Sequence, residues 1–402
     1  MRYNYVDIFA GCGGLSLGFY NAGWEGKFAI EKNADAFSTF KYNLIDNKKH
    51  FSWEEWLDIS NHDINDIIKE NSEELSNLNG KVTLVAGGPP CQGFSMAGQR
   101  NKNDERNKLV NSYIEFVKII KPECVFFENV HGITVGFKDK NDKVLKPASE
   151  YIIKALKKIG YNIESKIIDM YDYGVPQRRK RFILIGFLNK DPKAFFDILK
   201  NNRNSFLKSK NLTLKSNVSQ AIGDLSSRNE QIDCIDSKGF KAGTYGKAST
   251  KYQRYMRLGI NRETKPDSHR FAKHKNTTVN LFNKMFKECD KGKRLSPKNA
   301  NVEELKKRGV TILVNNQPCN TITSHPDDYI HYSEPRIISV RESARIQSFP
   351  DWYHFRGKYT TGGELRKTDV PRYTQVGNAI PPLFAEQVGI ALKEILKNVQ
   401  NG

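Results

Sequence analysis

Residues 5–31 read YVDIFAGCGGLSLGFYNAGWEGKFAIE. An apolar run at Tyr5–Phe9 passes through a glycine-rich turn into a helical stretch near 15–22. A second apolar run, Phe28–Glu31, follows. The alternation continues outward from this unit. Further strands are expected at Thr83–Ala86, Cys124–Glu128, Ile163–Ile168 and Arg181–Phe187, with helices near 34–44, 107–120 and 149–159. Short apolar runs without polar alternation, separated by helices, predict an α/β fold with a doubly wound parallel sheet. Ligands on such a sheet sit at the carboxyl ends of the strands.

Beyond residue 190 the pattern changes. Residues 191–335 are rich in Lys and Asn, with weak periodicity and scattered glycines. A second, smaller, irregular lobe is expected over 191–369, and the first lobe, 1–190, is completed by 370–402. Ser339 and Glu342 form a capping-box pattern that opens a helix at SVRESARIQSF. In the last helix Leu383, Phe384, Val388, Ala391, Leu392 and Ile395 make an apolar stripe suited to core packing.

The formal net charge of the 402-residue chain is +19. Residues 241–310 hold 19 Lys and Arg against 6 Asp and Glu, so most of the excess lies in one segment. That concentration favours a polyanion-binding face over an evenly solvated surface. No apolar stretch approaches the ~20 residues of a membrane helix. The first strand begins so early that no leader is expected, and a cytoplasmic protein, nucleoid-associated when bound to DNA, is the reading. Six cysteines without CxxC spacing predict neither a zinc site nor a disulfide scaffold. His269 and His274 are read as surface or phosphate-facing groups, and no metal is expected.

The unusual residues fall at strand ends. The turn Asp7-Ile8-Phe9-Ala10-Gly11-Cys12-Gly13-Gly14-Leu15 lets a ligand approach the backbone. Glu31 closes the second strand, where a carboxylate can accept from a ribose diol. Asp63 either accepts from an adenine amino group or caps a turn. The segment Gly87-Gly88-Pro89-Pro90-Cys91-Gln92-Gly93-Phe94-Ser95 follows a strand. Its two prolines fix the backbone before the thiol. Residues 93 to about 108 are polar, as in a mobile lid. Glu128-Asn129-Val130 closes the neighbouring strand, which pairs a carboxylate with a thiol. In Gln177-Arg178-Arg179-Lys180-Arg181, a period of two puts Gln177, Arg179 and Arg181 on one face, suited to binding carbonyl or phosphate oxygens.

Taken in order, DIFAGCGGLSLGF, GGPPCQGFS, ENV, QRRKR, RESARIQSFPD and QVGNAIPP resemble the cytosine-C5 DNA methyltransferases of bacterial restriction–modification systems over residues 7–389. The resemblance implies an S-adenosylmethionine-dependent methyltransferase fold with a target-recognition domain. It implies a pocket for S-adenosylmethionine (product S-adenosylhomocysteine) lined by Phe9, Gly11, Gly13 and Leu15. Glu31 would hold the ribose and Asp63 with Ile64 the adenine, with Pro89, Gln92, Leu109 and Asn378 completing the pocket. Cys91 would be the nucleophile. Glu128 would contact the target cytosine at N3 and its amino group, and Arg179 and Arg181 would contact the base and organise Glu128. Ser95, Gln177, Arg254, Arg257 and Arg270 are expected to face DNA. Lys32 departs from the family pattern, which often has an apolar or aromatic residue there. The insertion at 47–60 has no reading from sequence.

The expected partners are double-stranded DNA and a cognate restriction endonuclease acting on the same site, with the enzyme a monomer. A tRNA methyltransferase of the same superfamily would share chemistry and cofactor, but the long basic region favours duplex DNA. A catalytically silent DNA-binding protein is disfavoured by Cys91, Glu128 and Arg179. A nicotinamide oxidoreductase is disfavoured because the glycine turn lacks GxGxxG.

Overall fold

The computed structural model describes residues 3–90, 105–138, 144–261, 263–296, 309–362, 365 and 368–397. They form two compact units. The first comprises residues 1–169, 180–203 and 385–402, and the second 170–179 and 204–384. By packing, therefore, 170–179 and 370–384 belong to the second unit, and the first extends past residue 190 to 203.

The first unit is built on six strands: β1 (Asn4–Ile8), β2 (Glu25–Ile30), β3 (Leu84–Gly87), β4 (Cys124–Val130), β5 (Asn162–Asp169) and β6 (Lys180–Phe187). Their order across the sheet is β2-β1-β3-β4-β6-β5. The β1–β2, β1–β3 and β3–β4 pairs are parallel, whereas β6 runs antiparallel to both β4 and β5. The sheet is thus mixed rather than wholly parallel. Only ten residues, 170–179, separate β5 from β6. A parallel return needs a crossover of a dozen or more residues, so the chain comes back antiparallel.

Helices Gly14–Asn21, Glu105–Ile120 and Ala148–Ile159 lie where apolar spacing places them, and the 34–44 stretch becomes helix Ala34–Phe40 running into a wider turn at Lys41–Asn47. The core joins Val6, Ile8, Phe28, Val85, Val125, Phe127 and Leu184 of the strands to Phe116, Val117, Ile152 and Leu156 of the helices. The last-helix stripe is buried throughout. The insertion at 47–60 also acquires a role. Phe51 bridges Gly26 of edge strand β2, and the backbone of His50 and Ser52 bonds the same glycine. A Cβ on Gly26 would lie 2.4 Å from the Phe51 ring, so this close cover of the exposed edge requires glycine.

The second unit has a small apolar cluster of Phe282, Met285, Leu295, Val310, Ile312, Ile330 and Ile337. A network of buried ion pairs also runs through this unit. Helix Val340–Ile346 opens with the Ser339/Glu342 capping box, as expected. Arg345 reaches both oxygens of Asp351 at 2.6 Å and Asp224 at 3.1 Å, and Arg336 forks onto Glu342 at 2.7 Å. Burial opposes ionisation of Glu342, yet Arg336 holds its carboxyl down to about 2. His269, expected at the surface, is buried. Its Nδ1 lies 2.7 Å from Ser339 Oγ and its Nε2 2.9 Å from the Leu225 carbonyl. The carbonyl contact requires the proton on Nε2, and burial, which lowers the pKa to about 4, leaves Nδ1 unprotonated to accept from Ser339.

Burial lowers the pKa of His269 and of His331 to about 4. A histidine in the unfolded chain titrates near ~6.5. Between these values the unfolded state binds more protons, so stability falls as the pH drops through that window. Glu342 acts in the same direction at lower pH, from the ordinary carboxylate range down to about 2. The thermal midpoint should therefore fall between pH 7 and pH 5. Asp7, which burial raises to about 7, opposes this fall over the same interval, so the histidines must outweigh it, and a midpoint that rises from pH 7 to pH 5 would contradict the buried neutral histidines.

Candidate active site

The carboxyl ends of the parallel strands in the first unit carry the candidate residues. After β1 the chain turns with φ of 62° at Phe9, 56° at Gly11 and 89° at Gly13. A positive φ at a bulky residue such as Phe9 is costly and marks a site whose shape is held for a purpose. A Cβ on Gly11 would meet nothing within 4 Å, so the turn opens onto free space. Leu15 is buried in the helix behind it, and Phe9 packs partly against the core.

Glu31 follows β2 and faces this turn. Its Oε2 accepts from Gly11 N at 2.9 Å and its Oε1 from Asn33 N at 2.7 Å. Burial raises its pKa, and the backbone donors oppose that. Three backbone donors, from Gly11, Asn33 and Lys32, leave the carboxylate capacity to accept from a ribose hydroxyl. The open glycine turn and the fixed carboxylate fit the ribose end of S-adenosylmethionine. Asp63 caps helix Ile64–Glu70 by accepting from Asn65 N at 2.8 Å, and its other oxygen pairs with Lys32 at 2.8 Å. Lys32 thus occupies the carboxylate expected to meet adenine. Ile64 is a core residue, and Leu109 is half-buried on helix Glu105–Ile120.

After β3, Pro89 is buried and its carbonyl accepts from Asn129 Nδ2 at 3.0 Å. Asn129, the middle residue of the ENV motif, thus braces the proline loop, a role with no signal in the sequence. Beside it Glu128 pairs with Arg181 Nε at 3.0 Å across the antiparallel β4–β6 ladder. A Cβ on Gly88 would lie 3.0 Å from Glu128 Oε2, so glycine permits the proline loop to run against the carboxylate. Burial lowers the Arg181 pKa while Glu128 raises it. This is a nearly dry, charge-paired carboxylate at a strand end beside a rigid loop. Cys91, Gln92 and Ser95 lie outside the described residues, as does 93–104 of the expected lid. Residues 105–108 form the first turn of a helix.

The 177–181 row is not one strand. Gln177 pairs with Cys319 in a separate two-stranded ladder of the second unit, whereas Arg181 lies in β6 of the first. Gln177, expected to face DNA, is fully buried. It donates to Gln347 Oε1 at 2.5 Å and accepts from Ile322 N at 3.0 Å. Gln347 in turn donates to Val376 O at 2.7 Å, which ties the QRRKR, RIQSF and GNAIPP segments together. Arg179 is buried with its guanidinium 3.4 Å from the Ile322 carbonyl, and Asn378 is exposed at the end of helix Arg372–Asn378.

Two expected DNA readers are also internal braces. Arg257 pairs with buried Asp224 and lies 4.3 Å from the Tyr245 ring centroid. Arg270 stacks between Phe240 and Tyr359, 4.2 and 3.9 Å from their centroids. Arg254 is exposed, bonded only to the nearby Ala248 and Ser249 carbonyls among the contacts resolved. No described helix is long and apolar enough to cross a membrane.

The profile of the C-5 cytosine-specific DNA methylase family matches residues 3–394. The type II methyltransferase M.DdeI of Desulfomicrobium norvegicum is 32% identical over 98% of this chain and 90% of its own length. The type II methyltransferase M.XorII of Xanthomonas oryzae pv. oryzae is 28% identical over 98% of this chain and 85% of its own. Among solved structures, a candidate DNA modification methyltransferase encoded within an E. coli prophage superposes with a TM-score of 0.66 at 23% identity, covering 98% of this chain and 99% of that one. That likeness establishes the shared fold.

Proposed function

The chain belongs to the C-5 cytosine-specific DNA methylase family and is a DNA (cytosine-5-)-methyltransferase, and from that premise we propose that it methylates a flipped-out cytosine in a specific duplex sequence through a covalent Cys91 adduct. The observation that carries this reading is the Glu128–Arg181 pair at 3.0 Å, set beside the proline loop that leads to Cys91. S-adenosylmethionine, when bound, supplies an electrophilic methyl group. Phe9, Gly11, Gly13, Leu15 and Glu31 would hold it, with Asp63, Ile64, Pro89, Gln92 and Leu109 toward its remaining parts. For Arg179 and Asn378 the roles rest on the family resemblance alone.

In the stack, C5 of cytosine is both inaccessible and a weak nucleophile. Extruding the base costs a few kcal/mol. The Cys91 thiolate then forms a bond to C6, which moves electron density to C5. Glu128, a carboxylate beside Arg181 in the free enzyme, takes up a proton from solvent as the base binds, donates it to N3 and so stabilises the charge that sulfur addition creates. Arg181 holds that carboxyl in place. C5 takes the methyl, with S-adenosylhomocysteine as the leaving group, the C5 proton leaves to a base, the C6–S bond breaks to regenerate the thiolate, and N3 returns its proton to Glu128.

Residues 191–335 are proposed to carry sequence choice, and a restriction endonuclease sharing the site is the proposed partner of a monomeric enzyme. Incubation with methyl-labelled S-adenosylmethionine and either duplex DNA or tRNA tests the reading. Label should enter duplex DNA as 5-methylcytosine and leave tRNA unmarked. Label in tRNA alone would overturn it.

A further inference from the structure

Arg257 and Arg270 being braces leaves open which side chain in the basic region is offered to a partner. The hairpin formed by Gln231–Asp233 and Lys241–Gly243 answers this. At its turn Ile235 is 84% exposed, the most open large apolar side chain among the described residues. A single exposed apolar residue is common and by itself signals nothing. Here it is held in place by its immediate neighbours.

Asp236, next in sequence, is gripped by Arg372 Nη1 at 2.5 Å and the Tyr359 hydroxyl at 2.9 Å. Cys234, on the other side, is buried with its thiol 3.2 Å from Asp236 Oδ1. Arg270 donates to Ser237 Oγ at 2.8 Å while its guanidinium is stacked between Phe240 and Tyr359. The backbone of 269–271 extends the hairpin through the Ala242–Arg270 bridge and the Phe271 N to Lys241 O bond. Both residues flanking Ile235 are thus anchored, and its exposure is built rather than incidental. Lys238 in the same loop is exposed, and so is Lys273, whose ammonium lies 5.0 Å from the centroid of Phe240 at the loop's far end.

We propose that the 231–243 hairpin is a DNA-reading element, with Ile235 contacting the C5 methyl of a thymine in the recognised sequence. The adjacent lysines fit a phosphate backbone, and Ile235 can offer a base edge only apolar surface. In the major groove the one apolar group among the four standard bases is the thymine methyl. A backbone anchored on both sides of the contacting residue loses little conformational freedom on binding. The proposal rests on the chain acting on duplex DNA, and it names a specificity residue within that reading.

The experiment first maps the methylated motif by bisulfite sequencing of DNA from an expressing host. Wild type and Ile235→Ala are then titrated against duplexes of that motif in which each dT is replaced in turn by dU, which removes only the methyl. Losing one buried methyl costs roughly fourfold in affinity, from about 0.8 kcal/mol per carbon. One dT-to-dU change should weaken wild type by that factor and leave Ile235→Ala unaffected. Lys238→Ala should weaken every duplex alike and lower the salt dependence. An Ile235→Ala protein with an unchanged thermal midpoint that responds to every dU exactly as wild type does would overturn the proposal. No methylated motif at all would instead sink the reading of the chain as a DNA-modifying enzyme.

Discussion

Cys91→Ser is expected to abolish methyl transfer while leaving duplex and cofactor binding within a few-fold of wild type. The reason lies in the nucleophile. A free thiol titrates near ~8.5, so a few per cent is thiolate at neutral pH and a nearby cation raises that share. A serine hydroxyl of similar size supplies essentially no anion. Cytosine C6 is attacked only when negative charge can be delivered to it, and without attack C5 stays too electron-poor to take a methyl. The two prolines before Cys91 and the Asn129–Pro89 bond fix the chain up to residue 90 whatever follows it. The serine protein should therefore fold and bind. Single-turnover transfer measured with excess enzyme, alongside gel-shift affinity, separates the two effects. Transfer within tenfold of wild type would rule out the covalent route. A companion duplex carrying 5-fluorocytosine should form a denaturant-stable complex with wild type only. Fluorine cannot depart from C5 as a cation, so the C6–S bond has no means to break.

Cys91 stands out in the sequence because its signal is local. Two prolines, a thiol and flanking glycines stand in one short segment, and buried strands announce themselves by unbroken apolar runs. The Ser339–Glu342 capping box was legible for the same reason, since both partners lie within one helical turn. What could not be read depends on distant partners. Arg257 looks like a solvent-facing base reader until Asp224, 33 residues away, is folded against it. His269 seems polar and exposed until Ser339, 70 positions on, meets its ring. The antiparallel return of β6 was hidden because apolar runs in buried strands look alike in either direction, and connection length decides between them. The break at Arg179 was hidden too, because QRRKR shows no polarity change where the chain passes from one unit to the other.

Glu128→Gln should lower the rate of methyl transfer by roughly 10²–10⁴-fold, the range of a lost acid–base group, with little change in cofactor affinity. Glutamine has nearly the same volume, which matters because a Cβ on Gly88 would already lie 3.0 Å from Oε2 and the loop has no slack. The amide can still donate to N3, so base binding is partly retained. It cannot release a proton, so charge formed as sulfur adds to C6 is no longer neutralised at N3. The substitution also removes the counter-charge of Arg181, whose side chain is only 12% exposed. An uncompensated buried guanidinium is destabilising, and the thermal midpoint should fall as well. Glu128→Asp restores the charge but draws the carboxyl back by one methylene. It should recover much of the stability and little of the rate, a split that a purely structural role would not produce. Binding of S-adenosylhomocysteine, measured by calorimetry, should stay near wild type in both variants, because Glu31 and the Gly11 turn are intact. If cofactor binding collapses while single-turnover chemistry persists, Glu128 belongs to the cofactor pocket and the acid must be sought elsewhere on the strand ends.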